Sequence, residues 1–213
     1  FAAALLLSAC ASKAPVVKPD RPVGTTSEVL PPSGEPAVAA KDPATQFEES
    51  LALLKSKKFK EARVGFESLA KQHPEFSGPL TNLAILDAKA NTREAAITNF
   101  NRAINANPRN AIAYNWLGVL YRESKNYPRA EQSYLQSLQI NAENPAVVLN
   151  LAILYDLYLK RPVDALARYQ EYQRMTNSRE LKVTAWIKAL EASQPPPAPS
   201  AAPGAPTPVA PKT

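Results

Sequence analysis

AIAYNWLGVLYRESKNYPRAEQSYLQSL, residues Ala111 to Leu138, decides the fold. Within it Tyr114, Leu117, Gly118 and Tyr121 fall at helical spacing, and Ala130 and Tyr134 follow after a short polar break. Large residues alternate with small ones along the same helical face. That pattern suits two helices that cross closely, the small residue letting the backbones approach. The pattern also repeats. Leu83-Ala84, Leu117-Gly118 and Leu151-Ala152 share one stride of 34 residues, and so do Ala62, Ala96 and Ala130. Phe66, Phe100 and Tyr134 keep step with the second set. Ala165 and Tyr169 come 35 residues on, which places one extra residue in the turn of the fourth unit, near Arg161.

Two interleaved marker sets on one period resemble the tetratricopeptide repeat, an antiparallel helix pair that stacks on its neighbours. The resemblance covers about Asp42 to Ala192 and implies an all-α superhelix with a concave inner face. The expected repeats are 43–76, 77–110, 111–144 and 145–179, with a capping helix over 180–193 that covers the last apolar end. The first unit is the least regular, with Ser50 in the small position of its first helix. In the second, Thr92 or Asn91 is the expected cap of the second helix, with Glu94 in the first turn where the dipole favours an acid. Pro128 fits a first helical turn, where its missing N–H is no loss. Ala142 stands where the third unit should close on proline, and Pro145 is expected to end that helix instead.

The flanks differ in kind. Proline numbers 21 and gathers at the ends, from Pro15 to Pro43 and from Pro195 to Pro211. Residues 11–42 and 194–213 hold few aromatics and little periodicity, so burial cannot offset their ordering entropy, and both are expected to be disordered. At the start, residues 1–10 form an apolar run ending Leu7-Ser8-Ala9-Cys10. This resembles the end of a bacterial lipoprotein signal and its lipobox, which implies that Cys10, the one cysteine, takes the lipid. Ala11 rather than Asp after it points, for a Gram-negative source, to the outer membrane on its periplasmic side. Two or three acyl chains would anchor the protein firmly, since one chain holds only marginally.

Composition narrows the chemistry. The net charge of +6 is modest, and the basic cluster Lys55, Lys57, Lys58, Lys60 and Arg63 has no interleaved aromatics, so nucleic acid is not an expected partner. One cysteine permits no internal disulfide, and a lone His73 cannot assemble a metal site. No catalytic motif is present, and neither Glu48 with Glu49 nor Glu67 with Glu75 is fixed to a task. No enzyme activity, cofactor or metal is expected.

What remains is binding. The family resemblance places the groove on the first helices, at Asn82, Ile85 and Lys89, at Asn115, Val119 and Arg122, and at Asn150 and Ile153, with Thr81, Leu149 and Asp156 beside them. Ile85, Val119 and Ile153 would make an apolar stripe, and the three asparagines would bond a peptide backbone. Trp116 and Trp186 read as packing residues. Pilotin-like lipoproteins of this architecture help type IV pilus secretins assemble. The expectation is therefore a lipid-anchored adaptor for secretin or pilus machinery, with scaffolding of peptidoglycan enzymes as the alternative.

Overall fold

The computed structural model describes residues 41–177 and 180–193. Cys10, both proline-rich flanks and the signal-like run lie outside them. Among the described residues there are helices and no strands. They pair along the chain: α1 (Pro43–Lys55) with α2 (Phe59–Gln72), α3 (Ser77–Lys89) with α4 (Arg93–Ala106), and α5 (Ala111–Glu123) with α6 (Tyr127–Ile140). The fourth pair is α7 (Pro145–Ile153), continued by a π-helical segment Leu154–Tyr158, with α8 (Pro162–Thr176). α9 (Leu181–Ser193) packs on α8. Each second helix also packs on the first helix of the next pair, so the stack is continuous.

The small positions act as expected. Ala62, Ala96, Ala130 and Ala165 are fully buried, and so are Phe66, Phe100 and Tyr134 four residues on from the first three. Gly118 meets Tyr134 across the α5–α6 crossing. A Cβ there would lie 2.5 Å from Cδ1 and Cε1 of the ring. Apolar burial is the main stabilising term, about 25 cal/mol per Å² removed from water. It is spread over two clusters, one across α1–α5 and one across α6–α9. Val183, Ile187 and Leu190 of α9 belong to the second, so α9 closes the end of the stack.

The turns repeat as closely as the helices. Each pair is joined by three residues with a left-handed middle: Lys57 at φ 60°, Asn91 at 60°, Lys125 at 62° and Lys160 at 53°. The N–H after that residue returns to a carbonyl of the last helical turn: Lys58 to Leu53 at 2.9 Å, Thr92 to Asp87 at 2.9 Å and Asn126 to Tyr121 at 2.8 Å. These bonds satisfy carbonyls that a helix end leaves orphaned. In the fourth pair Arg161 bonds Tyr155 at 2.9 Å, across one residue more. The extra residue is therefore not in the turn, as the spacing suggested. It is taken up inside the first helix, where the Leu159 N–H bonds Leu154 O in a wider π-type ring.

Two local expectations are also corrected. The Thr92 side chain does not cap α4; its hydroxyl donates to Asp87 O at 3.0 Å. Pro145 does not close α6, which ends at Ile140; it opens α7. Asn141 Oδ1 accepts from Glu143 N at 3.2 Å, the same bond that Asn107 Oδ1 makes with Arg109 N at 2.9 Å one repeat earlier, where Pro108 is present.

Candidate functional site: the inner groove

The groove candidates fall into rows set by the 34-residue stride. Thr81, Asn115 and Leu149 share one register; Ile85, Val119 and Ile153 share another. Asn82, Asn115 and Asn150 do not form a single row: Asn82 and Asn150 align with Trp116, one residue along from Asn115. Asn82 is 1% exposed, and its amide donates to Gly78 O at 3.0 Å, so it is spent inside α3. Asn150 is buried and donates to Asn115 Oδ1 at 3.2 Å, tying α7 to α5 across the repeat boundary. Of the three, Asn115 stays half-buried at the surface.

The apolar row is uneven. Ile85 is buried, whereas Val119 and Ile153 are half-buried. Lys89 is exposed at the end of α3, and Arg122 is buried at the end of α5. Asp156, in the π segment, accepts from the Tyr169 hydroxyl at 3.3 Å. Trp116 stacks on Phe100 at 6.2 Å and Trp186 leans on Tyr169 at 5.4 Å, so both serve packing. The usable surface is thus Asn115, Val119, Leu149 and Ile153 with Lys89 at its edge. It can take apolar side chains and bond one edge of a main chain.

A separate hollow of about 1230 Å³, sharing no residue with this row, lies between Pro43, Phe47, Phe76, Pro79, Ala106 and Ile140, with Asp42, Glu75 and Arg109 among its polar residues. Its walls come from the starts of α1 and α3 and the ends of α4 and α6. The hollow therefore spans three repeats and exists only because they stack.

A polar cluster was missed in the sequence reading. Asp87 occupies the place held by Tyr121 and Tyr155 in the next repeats. It is 4% exposed, pairs with the Arg63 guanidinium at 2.7 Å and accepts from Asn99 Nδ2 at 2.9 Å. At the equivalent place in the fourth repeat, Arg161 lies 4.4 Å over the Tyr155 ring and bonds Glu131 at 2.7 Å and Asp164 at 2.6 Å. Burial, and then the hydrogen-bonded Glu131 carboxylate, push the Tyr155 phenol up to about 12. Both clusters join a second helix to the next first helix. The break in the aromatic register at Asp87 was the available signal.

The other carboxylates considered as catalytic are surface groups. Glu49 pairs with Lys41 at 2.7 Å, Glu67 with Arg63 at 3.7 Å and Glu75 with His73 at 3.3 Å, each carboxylate more than half exposed. Among the described residues no cluster of His, Cys, Asp or Glu could hold a metal ion, and no helix is long and apolar enough to cross a membrane.

Helix pairs on a 34-residue stride, small residues at each crossing and a capping helix make up the architecture of the tetratricopeptide repeat. The tetratricopeptide repeat family matches residues 81–145, the second and third pairs. Among solved structures, Pseudomonas aeruginosa PilF shares the fold at 21% identity, with 70% of this chain and 68% of that one aligned and a TM-score of 0.62. A tetratricopeptide-repeat protein of Thermus thermophilus matches at 21% identity over 71% and 82%, with a TM-score of 0.56. One from Parabacteroides merdae matches at 21% over 73% and 60%, with a TM-score of 0.59. No curated protein matches in sequence. The fold is one that presents surfaces to other proteins and is in general non-catalytic.

Proposed function

We propose that the protein is a non-enzymatic adaptor, tethered to the outer membrane by lipid on Cys10, whose inner groove holds an envelope protein. The leading partner is a secretin subunit of the type IV pilus machinery. The observation that carries the binding role is the half-buried row Asn115, Val119, Leu149 and Ile153 along the first helices. The lipobox-like Leu7-Ser8-Ala9-Cys10 supports the tether, and the likeness in fold to PilF supports the pilus setting.

The test is crosslinking in cells followed by capture, comparing the wild-type chain with Val119→Glu. A charge on a half-buried apolar position should abolish partner capture and leave folding intact, since the side chain already reaches solvent. Recovery of a secretin, lost in Val119→Glu, is the expected result. Recovery of peptidoglycan enzymes in its place would move the adaptor to that machinery. Capture unaffected by Val119→Glu would reject the groove.

A further inference from the structure

The four intra-repeat turns share one edge of the array, because the helices of each pair run antiparallel and the pairs stack in sequence. Side chains tie neighbouring turns together: the Tyr127 and Tyr158 rings lie 5.2 Å apart, and Arg161 bonds Glu131 at 2.7 Å. This edge is basic. Residues 55–61, 89–95, 123–129 and 158–164 hold ten basic side chains and four acidic ones, whereas the inter-repeat turns on the other edge, 72–79, 106–113 and 140–147, hold one and two. The fold does not ask for that charge. Lys58 and Lys60 at the start of α2, and Arg129 in the first turn of α6, stand where the helix dipole disfavours a cation. Lys57, Lys125 and Lys160 occupy left-handed corners that glycine would fill with less strain. All six are exposed, and none is in a salt bridge among the described residues. Exposed apolar side chains mark the same edge. Phe59 opens α2 at 47% exposed, and Leu157 and Val163 flank the fourth turn at 50% and 67%.

We propose that this edge rests on an anionic bilayer surface, its cations at the lipid phosphates and Phe59, Leu157 and Val163 entering the headgroup boundary. The shape suits a plane better than a chain: projecting corners offer no cleft for a peptide, yet a flat surface can touch several corners at once. Lysine and arginine suit the boundary too, since their stems lie against apolar groups while their charged heads stay with phosphate. Each lysine held near an anionic surface is worth about fivefold in binding. With this edge down, the first helices rise from the membrane. The row Asn115, Val119, Leu149 and Ile153 then faces along the surface, open to a partner anchored in the same membrane. The inference needs neither lipid on Cys10 nor a captured partner, so it stands or falls apart from the adaptor reading.

The experiment uses the full chain with Cys10→Ser, Leu5→Ser, Leu6→Ser and Leu7→Ser, so that neither lipid nor the apolar run can hold it. Co-sedimentation is measured with phosphatidylcholine vesicles and with vesicles in which one lipid in three is phosphatidylglycerol. The anionic vesicles should bind the protein and the neutral ones should not. Lys57→Gln with Lys60→Gln and Lys125→Gln should weaken that binding by about thirtyfold or more. Lys71→Gln with Arg102→Gln and Arg109→Gln removes the same charge towards the other edge and should weaken it by less than about threefold, because charges beyond a Debye length are screened. A dye on Ser56→Cys, the sole thiol, should be quenched by spin-labelled lipid, and a dye on Ala142→Cys at the other edge should not. Equal losses in the two triple variants overturn the inference, as does equal quenching at the two dyes. So does equal binding to neutral vesicles, or tighter binding to a DNA oligonucleotide than to the anionic vesicles.

Discussion

The Arg63 guanidinium reaches across from α2 to the carboxylate of Asp87 on α3 at 2.7 Å, and that carboxylate is almost wholly buried. In the next repeat boundary the same two places hold Ile97 and Tyr121, and in the one after that Glu131 and Tyr155. One geometric junction is thus filled by an ion pair, an apolar pair and a carboxylate–phenol pair in turn. The backbone arrangement dictates that two side chains meet there; their chemistry has only to match.

Removing one member should therefore cost more than removing both. Asp87→Ala takes the acceptor from Asn99 Nδ2 and leaves Arg63 only the longer, exposed contact to Glu67, and should destabilise the fold by about 2–4 kcal/mol, read from urea unfolding. The double change Arg63→Ile with Asp87→Tyr installs the pair of the following junction and should recover at least half of that loss. A double variant no more stable than Asp87→Ala would show that the junctions are not interchangeable.

Gly118 faces the Tyr134 ring with no room for a Cβ. Gly118→Leu should cost about 1–3 kcal/mol through overpacking, despite the better helix propensity of leucine. Combining it with Tyr134→Ala should lower the cost of the glycine change, as a thermal-denaturation cycle can measure. An additive cycle would place the strain elsewhere.

The pH response follows from Tyr155. Its phenol titrates near 10 in the unfolded chain and about 12 in the fold, because burial and the neighbouring Glu131 disfavour the phenolate. The folded state then holds a proton that the unfolded state has released. This contribution is complete below pH 10 and is lost as pH rises towards 12, up to roughly 2–3 kcal/mol. Tyr155→Phe should flatten the fall in stability over that window, and absorbance at 295 nm should show one fewer late-titrating tyrosine.

Three of the four intra-repeat turns set a lysine in the left-handed region, Lys57, Lys125 and Lys160, where a Cβ is disfavoured. Replacing any of them by glycine should raise stability by roughly 0.5–1 kcal/mol. Asn91→Gly should gain least, since asparagine tolerates that conformation better. Melting temperatures of the four single variants give the comparison.

How far the sequence could be read depended on whether the relevant interaction was periodic. Ala62, Ala96, Ala130 and their aromatic partners recur at a fixed stride, so the pairing of helices and their crossings were visible before any coordinates. Asn82 illustrates the limit. Its spacing put it near the groove, but one residue of register turns a side chain by about 100° around a helix, and Asn82 points inward to bond Gly78 O. The extra residue of the fourth repeat was counted correctly and placed wrongly, because a count along the chain does not say whether a turn or a helix absorbs it. Arg122 was named for its position alone, and its burial depends on contacts that no periodic pattern records.

The π segment Leu154–Tyr158 shows where the array is permissive. The odd residue widens a helical ring, while the three-residue turn after it and its left-handed Lys160 keep the form they have in the other pairs. What the architecture defends is the angle of the elbow; the forearm can lengthen. Designers who wish to add residues to such a solenoid without altering its pitch should therefore insert them along the inner rods and leave the corners alone.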